Sequence, residues 1–172
     1  RVRALDLRLL SGNTAVHSDM LIWSKEETPE VAALQILNVI FSTPQISCML
    51  TELPSSHLRM LAFWMSFCMR HRKTLQESKL RPEHPEHSYP VVTAESAEET
   101  ITALYETDRV VRLNASHRHI VLNATHAPEL LIEAPRPRKC IVFNTFGEEV
   151  LRCEVSGLAR VAVPASGFAE FE

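Results

Sequence analysis

The sharpest chemical cluster in the sequence is Ser11-Gly12-Asn13-Thr14-Ala15-Val16-His17-Ser18-Asp19-Met20, closely followed by Trp23. It places polar groups where an apolar strand runs out, just ahead of a connection into a helix. At such a strand end an ionised Asp19 can accept hydrogen bonds from sugar hydroxyls and His17 can donate to them. Met20 offers an apolar contact, and Trp23 could line a sugar pocket. The plainer alternative is a loop Asp that caps a turn, a His satisfied in the core and a Trp used for packing.

Other reactive-looking residues read more simply. His117 and His119 alternate along a strand and could share a metal, but no paired Cys or matching His spacing supplies further zinc ligands. Wet-face strand residues are the better reading, and the same holds for His84 and His87 in a Pro/Glu-rich stretch. Met60, Phe63, Trp64, Met65, Phe67 and Met69 sit at helical spacing and read as core. There is no Gly-rich phosphate loop, no Gly-x-Ser-x-Gly elbow and no Walker pattern, and four glycines in all make a nucleotide site unattractive. No cofactor or metal is expected. Cys48, Cys68, Cys140 and Cys153 form no CxxC pair and are expected to be buried free thiols in a reducing, cytoplasmic compartment. A Cys140–Cys153 bridge across a hairpin is the alternative. Asn114-Ala-Ser and Asn123-Ala-Thr match the glycosylation pattern, which matters only in a secreted protein.

The elements that must position these groups fall into two halves. Residues 1–80 read as strand, helix, strand, helix. Leu5, Leu7 and Leu9 alternate within a strand-like Val2–Leu10. A helix starts at Thr28-Pro29-Glu30, an N-cap, a proline at the first helical position and an acid at the positive dipole end. It is apolar almost all round, interrupted only by Gln35 and Asn38, so it must be covered on most sides. Thr43-Pro44 ends it. Gln45–Leu50 reads as a buried strand, and a second helix follows Pro54 with Leu58, Leu61, Met65 and Cys68 on one face. Residues 81–90, with Pro82, Pro85 and Pro90, read as a linker. Residues 91–172 carry short apolar runs with frequent turn signals, among them Phe146-Gly147-Glu148, as in a β-sandwich.

The chain of 172 residues has a net charge of −3 and 23% charged residues, with no large Lys/Arg block, so nucleic acid and anionic membrane are poor partners. It opens at Arg1 on a strand-like run, which predicts a start within a longer protein. It closes on an apolar strand after a Pro/Gly turn, which predicts a natural C-terminus.

The run Gly12 to Trp23, the Ala/Leu-rich helix and Phe41-Ser42-Thr43-Pro44-Gln45-Ile46-Ser47 resemble bacterial α-galactosidases of the melibiase type. His71-Arg72-Lys73-Thr74-Leu75, Ile120-Val121-Leu122-Asn123-Ala124 and Val163-Pro164-Ala165-Ser166-Gly167-Phe168 extend the likeness. The resemblance implies α/β plus all-β architecture: the last strand–helix units of a (β/α)8 TIM barrel in residues 1–80, then a C-terminal antiparallel β-sandwich in 91–172. It implies release of terminal α-linked galactose with retention. Two carboxylates about 5–5.5 Å apart would do this, both from polypeptide upstream, leaving the 172 residues inactive alone. It also implies that Asp19, matching the family's sugar-binding Asp, holds galactose hydroxyls beside Met20, and it allows a homo-oligomer. Competing readings are α-N-acetylgalactosaminidase, a galactosyl transferase, or a non-catalytic carbohydrate-binding or structural module.

Overall fold

A computed structural model describes residues 1–12, 14–113 and 117–172. Helix α1 (Val2–Leu10) leads into strand β1 (His17–Leu21), helix α2 (Pro29–Leu37) and strand β2 (Thr43–Ile46), and β1 and β2 pair in parallel. Thr28 caps α2 by accepting from Val31 N, and Pro29 occupies its first turn, as the sequence predicts. Helix α3 (Ser55–Arg70) buries His57, Met60, Leu61, Trp64, Phe67 and Cys68, a stripe at helical spacing. A π turn, Lys73–Glu77, then carries the chain into the sheet.

Eight strands make that sheet: β3 (Lys79–Glu83), β4 (Val91–Glu95), β5 (Glu99–Leu104), β6 (Val110–Arg112), β7 (Arg118–Asn123), β8 (Leu130–Phe143), β9 (Glu149–Val161) and β10 (Phe168–Phe171). The spatial order is β3-β4-β5-β7-β10-β8-β6, with β9 along the other side of β8. β5/β7 and β6/β8 are parallel and the other pairs antiparallel. The C-terminal half of β8 pairs with β10 and its N-terminal half with β6, while β9 follows both. Between Ala134 and Arg138 the register slips, at Pro135-Arg136-Pro137, opposite Gly157 in the left-handed region (φ 66°). The β8–β9 ribbon bends there and curls the sheet back over itself.

This curl gives the central strands two cores. Ile101, Ala103, Ile120, Leu122 and Phe168 face the helices, while Leu104, Val121, Ala169 and Phe171 face the folded-over end with Ile132, Cys140 and Val142. Every residue of β5 is accordingly buried. The helical side is locked by aromatic contacts on Phe168, stacked on Phe143 (4.7 Å between centroids) and on Phe63 (5.8 Å), with Phe67 edge-on at 5.5 Å. Each such pair adds about 0.5–1.5 kcal/mol beyond its burial.

These findings overturn the expected fold class, a (β/α)8 barrel end followed by an antiparallel sandwich. Strand–helix alternation does not propagate a parallel sheet: after α3 the chain enters β3, which joins the large sheet antiparallel to β4. β1 and β2 remain a sheet of two strands, and the other strands form one curled mixed sheet, with 39% strand against 27% helix among the described residues. Val2–Leu10 is a helix rather than a strand, because its buried positions are Leu5 and Arg8, three apart. Arg8 reaches the carbonyls of Gly12, Gln76 and Ser78. The apolar α2 is covered by the chain itself, with Ala32, Ala33, Ile36 and Leu37 fully buried. The stretch read as a linker begins inside β3, and one core spans the helices and the sheet. Among the described residues, no helix is long and apolar enough to cross a membrane.

The β8–β9 turn is built as the sequence predicts. Gly147 sits at φ 75°, and a Cβ there would fall 2.1 Å from the Phe63 ring. Gly147→Ala is therefore expected to cost about 1–3 kcal/mol from backbone strain and overpacking together. Urea unfolding measures it, and an unchanged midpoint would contradict this packing.

Candidate functional site at the end of strand β1

β1 carries a bulge. His17 pairs with Thr43 and Met20 with Gln45, so three residues of β1 advance against two of β2. Ser18, buried, fills the gap: its Oγ accepts from Gln45 N at 2.9 Å and donates to Asp19 O at 2.7 Å. The bulge leaves His17, Asp19 and Met20 exposed, with Ser18 and Leu21 turned inward.

The four predicted site residues do not converge. Asp19 lines an open hollow of about 750 Å3 with Arg3, Gln35, Asn38 and Tyr105. His17 lines a different one, about 420 Å3, with Pro44, Met65, Met69 and Arg72. Met20 is 74% exposed. Trp23 is half-buried against the helical core, and its Nε1 donates to His57 Nδ1 at 3.1 Å. That bond makes Nδ1 the acceptor, so the opposite nitrogen, Nε2, donates to Glu27 O at 2.9 Å. His57 is thus a fully satisfied buried histidine, and the indole N–H of Trp23 is spent on it.

The Asp19 hollow has the chemistry of a polar-ligand site. Among the described residues no hydrogen bond reaches the Asp19 carboxylate, and its charge acts on the Arg1 α-ammonium, which lines the same hollow. Around it stand the two amides that interrupt the apolar helix, Gln35 and Asn38, and the Arg3 guanidinium. Sequence reading passed over Gln35 and Asn38. Their signal was present: two polar residues three apart on a helix otherwise built to be buried. Tyr105 has little to offer a ligand: its hydroxyl donates to Leu37 O at 2.9 Å, burial pushes its pKa up, and the Arg1 guanidinium lies 4.3 Å over its ring.

Two further polar clusters lie at the sheet. Glu99 accepts from His71 Nδ1 (2.8 Å) and Thr74 Oγ1 (2.9 Å) and lies 3.9 Å from Arg118, which is bonded to Glu170 at 2.6 Å. Burial raises the Glu99 pKa, but His71, Thr74 and Arg118 outweigh it and hold the carboxyl below its ordinary value. This cluster ties the end of α3 to β5, β7 and β10. On the opposite face of the sheet, His119 Nε2 meets Thr102 Oγ1 at 2.8 Å and His117 Nε2 meets Thr100 Oγ1 at 2.9 Å. Both rings therefore serve cross-strand hydrogen bonds. Among the described residues no group of three or more His, Cys, Asp or Glu could hold a metal.

The glycosylation reading of Asn123 fails on geometry. Asn123 is fully buried, its Nδ2 donates towards the carbonyls of Ala127, Val163 and Pro164, and its Oδ1 accepts from Thr125. The pattern is a hydrogen-bonded turn that ties β7 to the approach to β10. Asn114-Ala-Ser lies outside the described residues.

The fold and site together define a β-rich protein with a helical layer and a polar hollow at a bulged strand end. Compared with models of known protein families and with curated proteins, the chain matches none.

Two expectations follow from these contacts. Trp23→Phe keeps the ring but strands His57 Nδ1, and is expected to cost about 1–3 kcal/mol in chemical denaturation; a neutral substitution would leave Trp23 available for other work. Burial, with the charges of Arg138 and His117, depresses His119 from 6.5 to about 4. Above pH 6.5 its contribution to stability is complete. As pH falls towards 4 the unfolded chain takes up a proton that the native state refuses, and about 3 kcal/mol is lost. Glu99 adds its own loss only at lower pH, below the ordinary carboxylate value of 4.5. Urea titrations from pH 7 to 4 are expected to show a slope that His119→Gln flattens; an equal slope in the variant would refute the assignment.

Proposed function

We propose that the chain belongs to a glycoside hydrolase that releases terminal α-linked galactose, and that the Asp19 hollow binds sugar hydroxyls. The observation that carries the reading is the Asp19 carboxylate, held on a bulged strand end without a hydrogen bond to another described residue, beside the amides of Gln35 and Asn38 and the Arg1 α-ammonium. A sugar offers vicinal hydroxyls that donate to a carboxylate and accept from amides and a guanidinium. The likeness of Gly12–Trp23 to melibiase-type α-galactosidases supports the choice of galactose. In this reading Asp19 binds substrate, and the two carboxylates of a retaining double displacement come from polypeptide outside these 172 residues. His17 and Trp23 drop out of the sugar site, since one faces another hollow and the other is committed to His57. Four free thiols fit a cytoplasmic setting.

A second reading, a non-catalytic structural module, is favoured by the sheet itself. Its central strands are buried on both faces and its polar clusters are bonded internally, which suits a supporting body.

In the whole enzyme, Asp19→Asn is expected to lower kcat/KM on a p-nitrophenyl α-galactoside by about 10- to 100-fold, the worth of one charge-assisted hydrogen bond. The melting temperature should hold. Unchanged kcat/KM would remove the sugar-binding role, and absence of galactosidase activity altogether would favour the structural module.

A further inference from the structure

The antiparallel register of β8 and β9 sets Cys140 directly opposite Cys153, within an unbroken run from Arg138↔Val155 to Val142↔Leu151. Opposed residues in such a ladder have Cα atoms about 4.5 or 5.5 Å apart, depending on the pair type. Both values fall inside the roughly 4.4–6.8 Å that a disulfide spans. The two side chains point to the same face, where Cys140 belongs to the inner core and Cys153 packs against it. The two thiols are close enough for Cys153 to act on the Cys140 thiol and raise its pKa. Their exposure is unequal: Cys140 is fully buried and Cys153 half-buried. Cys48, in the loop after β2, and Cys68, on α3, lie on other elements.

We infer that Cys140 and Cys153 form a modification site, a cross-strand dithiol that a small-molecule disulfide converts to an intramolecular disulfide. The Cys153 thiolate, the one a reagent reaches first, attacks a sulfur of the small disulfide. That S–S bond breaks, one small thiol leaves, and Cys153 carries a mixed disulfide. The Cys140 sulfur then attacks Cys153 Sγ, its proton passing to the departing second thiolate. Two protein thiols are oxidised by two electrons, and one small disulfide is reduced to two thiols. Burial, and the neighbouring Cys153, push the Cys140 thiol up to about 12, which makes ring closure the slower step. An excess of small thiol reverses both steps, as befits a pair that responds to its surroundings. The bridge staples the ribbon whose bend closes the sheet's curl. It rests on strand register and does not depend on the sugar reading.

The test is to incubate the full chain with oxidised glutathione at mildly alkaline pH, quench with iodoacetamide and digest with trypsin. Cleavage after Lys139, Arg152 and Arg160 places Cys140 and Cys153 in separate peptides. The expected result is that these two peptides are joined by a reducible bond, that two of the four thiols are lost, and that the melting temperature rises by on the order of 5 °C. Cys153→Ser should abolish the link; peptide mapping of the unmodified sequence decides the matter even where that variant does not fold. Four alkylated cysteines, loss confined to Cys48 or Cys68, or a glutathione adduct on Cys153 that never closes would each overturn the inference.

Discussion

The contact on which the rest of the structure depends is the packing of Phe168 between Phe143 and Phe63, with Phe67 and Trp64 edge-on. β10 lies between β7 and β8, so Phe168 is fixed by neighbours on both sides. The residue before it is Gly167, where a Cβ would stand 2.4 Å from Phe143 O, so only the smallest side chain lets the strands close at that point. Phe168 in turn sets the height and rotation of α3. From α3 the constraint passes to His57, from His57 to Trp23, and from Trp23 to the end of β1. An aromatic stack is thus linked through α3, His57 and Trp23 to the segment that follows β1.

How far this was legible in the sequence depends on whether an element is fixed by its own residues. α2 announced itself through Thr28 and Pro29, α3 through its apolar stripe, and the β8–β9 turn through Gly147. These are local signals, and the structure honours them. α1 was misread because Leu5, Leu7 and Leu9 alternate like a strand. Its actual buried face is chosen by Arg8, whose partners near residues 76–78 are remote in sequence. β8 and β9 are longer than the short apolar runs expected of residues 91–172: at Pro135-Arg136-Pro137 and Gly157 they bend without ending, because the ladder resumes beyond the slip. The barrel expectation failed at a similar point: strand–helix alternation constrains pairing only while the next strand joins the same sheet, and β3 joins another.

The candidate site was legible as chemistry but not as geometry. Spacing by two puts His17 and Asp19 on one side of a regular strand. The bulge at Ser18 removes that regularity, and the two side chains line separate hollows. The glycosylation pattern at Asn123 shows the same limit. Three residue types matched, but burial gave every polar atom of the side chain to the backbone nearby. Conversely, Gln35 and Asn38 looked like blemishes in an apolar helix, and they are the residues that make the hollow polar.

Exposed carboxylates are common on any protein, and most of them carry no message. What separates Asp19 from a surface glutamate such as Glu26 is the stiffness of its mounting. Asp has a short side chain with few rotamers, and its backbone is pinned by the Ser18 bridge between β1 and β2. Its neighbours Gln35, on α2, and Asn38, the residue that caps its C-terminus, stand on a helix whose other faces are buried, so they too are held in place. Ordering entropy is therefore largely spent during folding rather than at the moment a ligand arrives. The glutamates and histidines of the sheet are equally rigid, but they are bonded to one another and have little left to offer a ligand. Rigidity, together with a carboxylate that no other described residue hydrogen-bonds, in the corner between α1, β1 and α2, is the physical ground for proposing recognition there and support in the sheet.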